Sequence, residues 1–201
     1  RLSTMDGAGF PLQDPATARS PIEVPTTRSP MSHLTKNGLT TTIPVTGRIP
    51  NLPSVTAWVE EIASLTRPSA IHFLDGSDEE YERLVEGLIE SGTIVRLNPG
   101  KQPGSIYART DPDDVARVED STFICSVDEN DSGPTNNWMD PKQMKTIMTK
   151  LYNGCMVGRT MYVIPFCMGH VDSPDPKFGI EITDSAYVAI SMKIMTRMGT
   201  K

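Results

Sequence analysis

The 201-residue chain carries 22% charged residues and a net charge of -6 at pH 7. That balance argues against a general nucleic-acid binder, because gripping phosphate backbones takes a concentrated basic surface. No apolar run approaches the roughly 18 residues of a membrane span, and the first residues lack the compact apolar core of a signal peptide.

Residues 1–50 are rich in Ser, Thr and Pro, and eight of the seventeen prolines lie at or before Pro53. Apolar residues there follow no period, so the segment is expected to be a disordered tail, unable to offset the entropy of ordering it. Five Lys and Arg against three Asp and Glu make it +2 and leave -8 to the remainder. Arg19-Ser20-Pro21 recurs as Arg28-Ser29-Pro30, which reads as low-complexity coincidence rather than a phosphorylation signal. Residues 51–201 form the expected ordered lobe.

Order is expected from Ser54, where Val55, Trp58, Val59 and Ile62 repeat at helical spacing and predict a helix to Leu65. Pro68 ends it, and Ile71 to Leu74 reads as a strand running into Asp75-Gly76. Ser77 with Glu80 predicts a capping box for a second helix. Its stripe is Tyr81, Leu84, Val85, Leu88 and Ile89, and Gly92 stops it.

Ile94–Leu97 and Ser105–Ala108 come next as strands around a loop rich in Pro and Gly. Asp111 as N-cap and Pro112 at the first helical position predict a short helix to Val118 that carries Arg117. Thr122–Val127 reads as a strand, and a polar loop leads to Asp140-Pro141, which with Gln143 caps a third long helix. Its Met144, Ile147, Met148 and Leu151 are expected to face inward.

Gly158 to Gly169 is a run of β-branched and aromatic residues bounded by glycines, which reads as a buried strand. Gly179 to Thr183 alternates like its partner, and the two are expected to be the last strands. Asp184 or Ser185 then caps a helix to Met195 or beyond that is apolar on nearly every side and should need a covering partner. The alternation of strands and helices predicts an α/β or α+β lobe with a mixed sheet flanked by helices.

No Gly-rich loop with Gly-Lys-Ser/Thr cradles a triphosphate, and no Gly-rich dinucleotide fingerprint opens a helix. His33, His72 and His170 lack metal-ligand spacing. His72 reads as a partly buried strand residue and His170 as a surface residue, while methionines 144, 148, 192, 195 and 198 read as core packing. Cys125, Cys155 and Cys167, without CxxC spacing and in or beside apolar segments, are expected to be buried reduced thiols of a cytoplasmic protein. Arginine remains: a guanidinium at Arg117 can grip a carboxylate with two parallel hydrogen bonds, although spacing alone favours a surface arginine paired with Glu119 or Asp113. Arg96 and Arg159, at strand edges, read first as structural ion-pair partners.

GRTMYVIPFCMG, followed by GIEITDSAYV and SMKIMTRMG, closely resembles the N-terminal lobe of GTP-dependent phosphoenolpyruvate carboxykinases. The resemblance also takes in Trp58 to Leu84, IVRLNP (Ile94 to Pro99), DPDDVARVE (Asp111 to Glu119) and GPTNNWMDP (Gly133 to Pro141). It implies the N-terminal lobe of a two-lobe cytoplasmic enzyme that decarboxylates oxaloacetate and phosphorylates the enolate from GTP. The products are phosphoenolpyruvate, carbon dioxide and GDP, at the head of gluconeogenesis.

The family's arginine of the DVAR-type motif binds the substrate carboxylate; here the motif is Asp114-Val115-Ala116-Arg117. The resemblance further implies Mn2+, with Mg2+ accompanying GTP, held with the nucleotide by residues beyond Lys201 in a C-terminal lobe. A monomer without nucleic-acid or membrane partners is expected. Arg1 in place of Met, and an end directly after a helix-like stretch, predict a fragment, and with nothing to cradle a triphosphate or hold a divalent metal it is expected to be inactive alone. The rival reading is a non-catalytic α/β binding module; the ATP-using carboxykinases have different N-terminal motifs.

Overall fold

The computed structural model describes residues 41–109 and 118–199. Strand β1 (Val45–Gly47) leads into helix α1 (Pro53–Thr66), then β2 (Ala70–Phe73), α2 (Asp78–Glu90) and the antiparallel pair β3 (Ile94–Arg96) and β4 (Ile106–Ala108). Two short parallel strands, β5 (Phe123–Ile124) and β6 (Asn137–Trp138), precede α3 (Pro141–Tyr152). The chain continues through β7 (Thr160–Met168), β8 (Lys177–Thr183), α4 (Ala186–Met195) and β9 (Arg197–Met198).

The main sheet runs β1-β2-β7-β8, with β9 also on β7. β1, β2 and β7 are parallel, whereas β8 and β9 are antiparallel to β7. β8 occupies one edge of β7 from Tyr162 to Met168. The other edge is shared in turn by β2 at residues 160–163 and β9 at Phe166 and Cys167. Gly158–Gly169 therefore holds the centre of the sheet, but the expectation that its pair would be the last strands is corrected by β9.

Alternation sorts the side chains of the sheet into two cores. Ile71, Phe73, Met161 and Val163 meet Val59 and Ala63 of α1 on one face. Leu74, Tyr162 and Ile164 meet Val85 and Leu88 of α2 and Ala186, Ala189 and Ile190 of α4 on the other. Helices on both faces of a mixed sheet make this an α/β fold, and each fully buried aliphatic side chain stabilises it by about 1.5–3 kcal/mol.

Order does not wait until Ser54. β1 pairs with β2 from Val45↔Ile71 to Gly47↔Phe73, and Ile43, Val45 and Ile49 pack on the α1-side core. Gly47 has φ of +83°, and a Cβ there would stand 1.8 Å from the Phe73 carbonyl oxygen, so only glycine fits. This closeness depends on a parallel neighbour 26 residues away, which local composition does not encode.

Other expectations need correction. In α1 the buried residues are Thr56, Val59, Ala63 and Thr66, and Trp58 is exposed, so the inward face is rotated from the apolar stripe. Thr56 is tolerated because its hydroxyl donates to the Pro53 carbonyl at 3.0 Å. None of α3 is buried; Leu151 is 67% exposed. An apolar period names a face but not what covers it. Thr122–Val127 is a strand only at Phe123–Ile124, and Val127 is 95% exposed; among the described residues β5 pairs with β6 alone, over two residues.

Met195 is exposed rather than packed, as is Ile194 on the outer side of α4. Met144, Met148, Met192 and Met198 are half-buried. Cys167 alone of the cysteines is buried; Cys125 and Cys155 are exposed, because the loops that carry them pack nothing over them. The cap of α4 is Ser185, whose Oγ accepts from the Val188 amide at 3.3 Å.

Candidate functional site

The expected helix at 112–118 and its Arg117 lie outside the described residues, as does His33. From Val118 the chain folds into a compact polar unit. A 3-10 turn at Glu119–Ser121 closes through the Ser121 amide to Val118 O and the Thr122 amide to Glu119 O, each 3.1 Å. The Thr122 hydroxyl adds a bond to Val118 O at 2.6 Å. Asn137, on β6, holds this turn from the side: its Nδ2 donates to Glu119 O at 2.8 Å and to Thr122 O at 3.2 Å.

The connecting loop is built with the same economy. Asp128 Oδ1 accepts from the Asn130 amide, starting a second 3-10 turn at Glu129–Ser132. Asn136 Nδ2 donates to Ser132 O at 2.7 Å, and Trp138 Nε1 donates to Ser126 O at 2.9 Å. Between turn and loop lies a polar cleft of about 400 Å³ lined by Glu119, Asp120, Thr122, Thr135, Asn136 and Asn137. Its lining carries two carboxylates, Glu119 and Asp120, and no basic side chain, so the cleft itself disfavours anions.

A second polar cluster sits where β2 enters α2. Ser77 caps α2, accepting from the Glu80 amide at 3.2 Å. Glu80, expected to return the bond to its cap residue, instead buries its carboxylate and accepts from the amides of Asp75 at 2.9 Å and Gly76 at 3.1 Å. His72 Nε2 meets Glu80 Oε1 at 2.9 Å, and His72 Nδ1 lies 2.7 Å from the Thr46 hydroxyl. The cluster joins β1, β2 and the start of α2.

Every strong acceptor in this cluster has a partner, which is the signature of a structural network. The Ser77 amide donates to Asp75, and this bond holds the Asp75 carboxyl below the usual carboxylate range. Burial pushes the Tyr162 hydroxyl up. Arg96 bridges Glu82 and Glu86, and Arg159 pairs with Asp184. His170 is exposed and His72 half-buried. Among the described residues no three His, Cys, Asp or Glu side chains come together to hold a metal.

Residues 57–201 match the family described as phosphoenolpyruvate carboxykinase N-terminal domain. The chain belongs to that family. It is 60% identical over 145 residues to the phosphoenolpyruvate carboxykinase (GTP) of Arthrobacter sp. (strain FB24), covering 72% of this chain and 24% of the relative. The protein of the same name from Paenarthrobacter aurescens (strain TC1) is 60% identical over 144 residues, 72% of this chain and 24% of the relative. That from Corynebacterium efficiens is 57% identical over 142 residues, 71% and 23%. The chain spans about a quarter of the length of these relatives.

The family match contains both Arg117 and the polar unit beyond it. Reasoning from residues reads 128–137 only as a loop and misses Asn137; the signal available is a pair of adjacent asparagines ahead of Trp138, residues whose amides bond locally to backbone. Glu80 reads as a helix cap in the sequence, which misses it as the hub between β1, β2 and α2. Among the described residues no helix is long and apolar enough to cross a membrane.

Proposed function

We propose that this chain is the N-terminal lobe of a cytoplasmic, monomeric GTP-dependent phosphoenolpyruvate carboxykinase, a lobe that takes in β1 at Val45–Gly47 as well as residues 51–201. In the reaction, the bond from oxaloacetate to its departing carboxylate breaks and releases carbon dioxide. The enolate oxygen left behind takes the γ-phosphoryl group of GTP, giving phosphoenolpyruvate and GDP. The observation that carries this reading is the family match over residues 57–201, a span that includes Asp114-Val115-Ala116-Arg117.

Arg117 is assigned to the substrate carboxylate. Its planar fork matches two carboxylate oxygens and stays charged at any working pH. Charge neutralisation and positioning are what such a reaction demands, since a dianionic substrate must approach a triphosphate. Divalent metal, Mn2+ with Mg2+ on the nucleotide, would neutralise phosphate charge; among the described residues no three His, Cys, Asp or Glu side chains come together to hold it. Nucleotide and metal are assigned to the portion of the relatives that this chain does not match.

The test is steady-state kinetics of Arg117→Ala in the full-length protein. Loss of charge-assisted hydrogen bonds of roughly 1.5–3 kcal/mol lowers kcat/KM for oxaloacetate about 10- to 150-fold. Arg117→Lys recovers only part, and KM for GTP is unchanged. Unchanged oxaloacetate kinetics in a folded Arg117→Ala protein sinks the assignment. The 201-residue chain alone is expected to show no GTP-dependent turnover of oxaloacetate.

A further inference from the structure

We infer that the outer face of α4 is a docking surface for an apolar segment from the portion of the enzyme that this chain does not match. The inference rests on reading the chain as one lobe of a longer protein. α4 turns its two faces to different surroundings. Ala186, Ala189 and Ile190 are buried in the core that α4 shares with α2 and the sheet. Its one charged residue, Lys193, also turns to α2, with Nζ 2.6 Å from Asp78 Oδ1 and 5.4 Å from the centre of the Tyr81 ring.

Helical spacing puts Tyr187, Val188, Ser191, Ile194 and Met195 on the opposite face. Ile194 is 73% exposed and Met195 64%, and Tyr187 is exposed as well. Ser191 gives its hydroxyl hydrogen back to the helix, to Tyr187 O at 2.9 Å. The face therefore carries no charge and little that water can bind.

α2 shows how a helix of this lobe is built where it faces solvent. Its exposed residues are Asp78, Glu79, Glu82, Arg83, Glu86 and Glu90, every one of them charged. Both helices pack on the same core, so their place in the fold does not account for the difference. A contiguous apolar face without charge marks a contact rather than a solvated surface.

Size decides between a tethered occupant and a separate molecule. Ten residues of helix make a strip about 15 Å long and about 10 Å wide, far short of the roughly 800 Å² per partner that a stable complex of separate molecules buries. A segment of the same chain escapes that requirement, because the linkage supplies a high effective concentration and translational freedom is not lost again. The chain spans 24% of its Arthrobacter relative, so on this reading most of the enzyme is tethered to the lobe and available to cover α4.

The experiment is hydroxyl-radical labelling of the full-length protein, read by mass spectrometry at Ile194 and Met195. Met161, which is fully buried, is the internal reference, and the urea-unfolded protein gives the unprotected rate. Covering removes most of the exposed area of both side chains, so they are expected to label about 5-fold or more slower than in urea, near Met161. Labelling of the folded full-length protein close to the urea rate overturns the inference.

In the 201-residue chain the same two residues are expected to label close to the urea rate while Met161 stays slow. Protection already present there assigns the cover to a segment of this chain, and protection in the full-length protein that fades on dilution assigns it to a second copy. Either result overturns the occupant. GTP-dependent turnover of oxaloacetate, measured on the same full-length sample, keeps the two readings apart. Turnover with Ile194 and Met195 freely labelled sinks the docking face alone, whereas protection without turnover removes the proposed activity and supports the docking face.

Discussion

β7 and the polar unit from Val118 to Met139 hold their backbones in opposite ways. Met161 to Ile164 are all buried, and both faces of the strand are packed by helices. In the polar unit Ser132 is the only buried residue, and shape comes from side chains of Thr122, Asp128, Asn136, Asn137 and Trp138 bonding to backbone. Burial is non-directional and cumulative, whereas these bonds are directional and exposed to competition from water. The first is suited to a scaffold that resists any single change. The second holds local geometry that single residues can tune.

The largest expected effect is in the scaffold. Phe73→Ala opens a cavity beside the sheet and is expected to cost about 3–5 kcal/mol, read as a lower urea midpoint of the 201-residue chain. A loss below about 1 kcal/mol would mean that β2 is not part of the cooperative core.

The Glu80 cluster lies between the two regimes, a polar network inside the scaffold. Glu80→Ala leaves the Asp75 and Gly76 amides and His72 without their shared acceptor and is expected to cost about 2–4 kcal/mol. Glu80→Gln, which keeps one acceptor oxygen, is expected to cost less. Equal loss from both variants would show that packing, not hydrogen bonding, sets the value of this side chain.

In the polar unit the expected effect is smaller and local. Trp138→Phe keeps an aromatic ring but removes the bond to Ser126 O and is expected to cost about 0.5–1.5 kcal/mol. Amide exchange in 118–139 should accelerate while the global midpoint barely moves. A midpoint shift as large as that of Phe73→Ala would erase the distinction between the two regions.

The smallest effect is a pH dependence at the turn before α2. The Ser77 amide lowers the Asp75 pKa in the folded state, so Asp75 contributes stability that is present above its ordinary value of 3.8 and lost as pH falls through the lower folded value. Asp75→Asn is therefore expected to flatten the acid limb of the stability curve slightly below pH 4. An unchanged acid limb would show that the turn is already open there.

Several elements are legible in the sequence because their causes are local. Ser77 and Asp140 cap helices where their side chains reach the next free amides, Gly92 follows the Ser91 cap at the end of α2, and β7 announces itself by composition. The motif that carries Arg117 is legible through resemblance, since a string of residues survives in a sequence whatever the backbone does around it.

What only the tertiary structure decided depends on distant neighbours. β1 is three residues in a Pro-rich context and exists because β2 offers a parallel edge and the core accepts Ile43, Val45 and Ile49. The α3 stripe is readable in the sequence, but its exposure is not, because periodicity records a face and not its cover. Asn137 and Glu80 are ordinary letters in the sequence. Their roles arise from carbonyls and amides that the fold brings within hydrogen-bonding distance, and directional bonds leave no trace in composition until the chain has closed on itself.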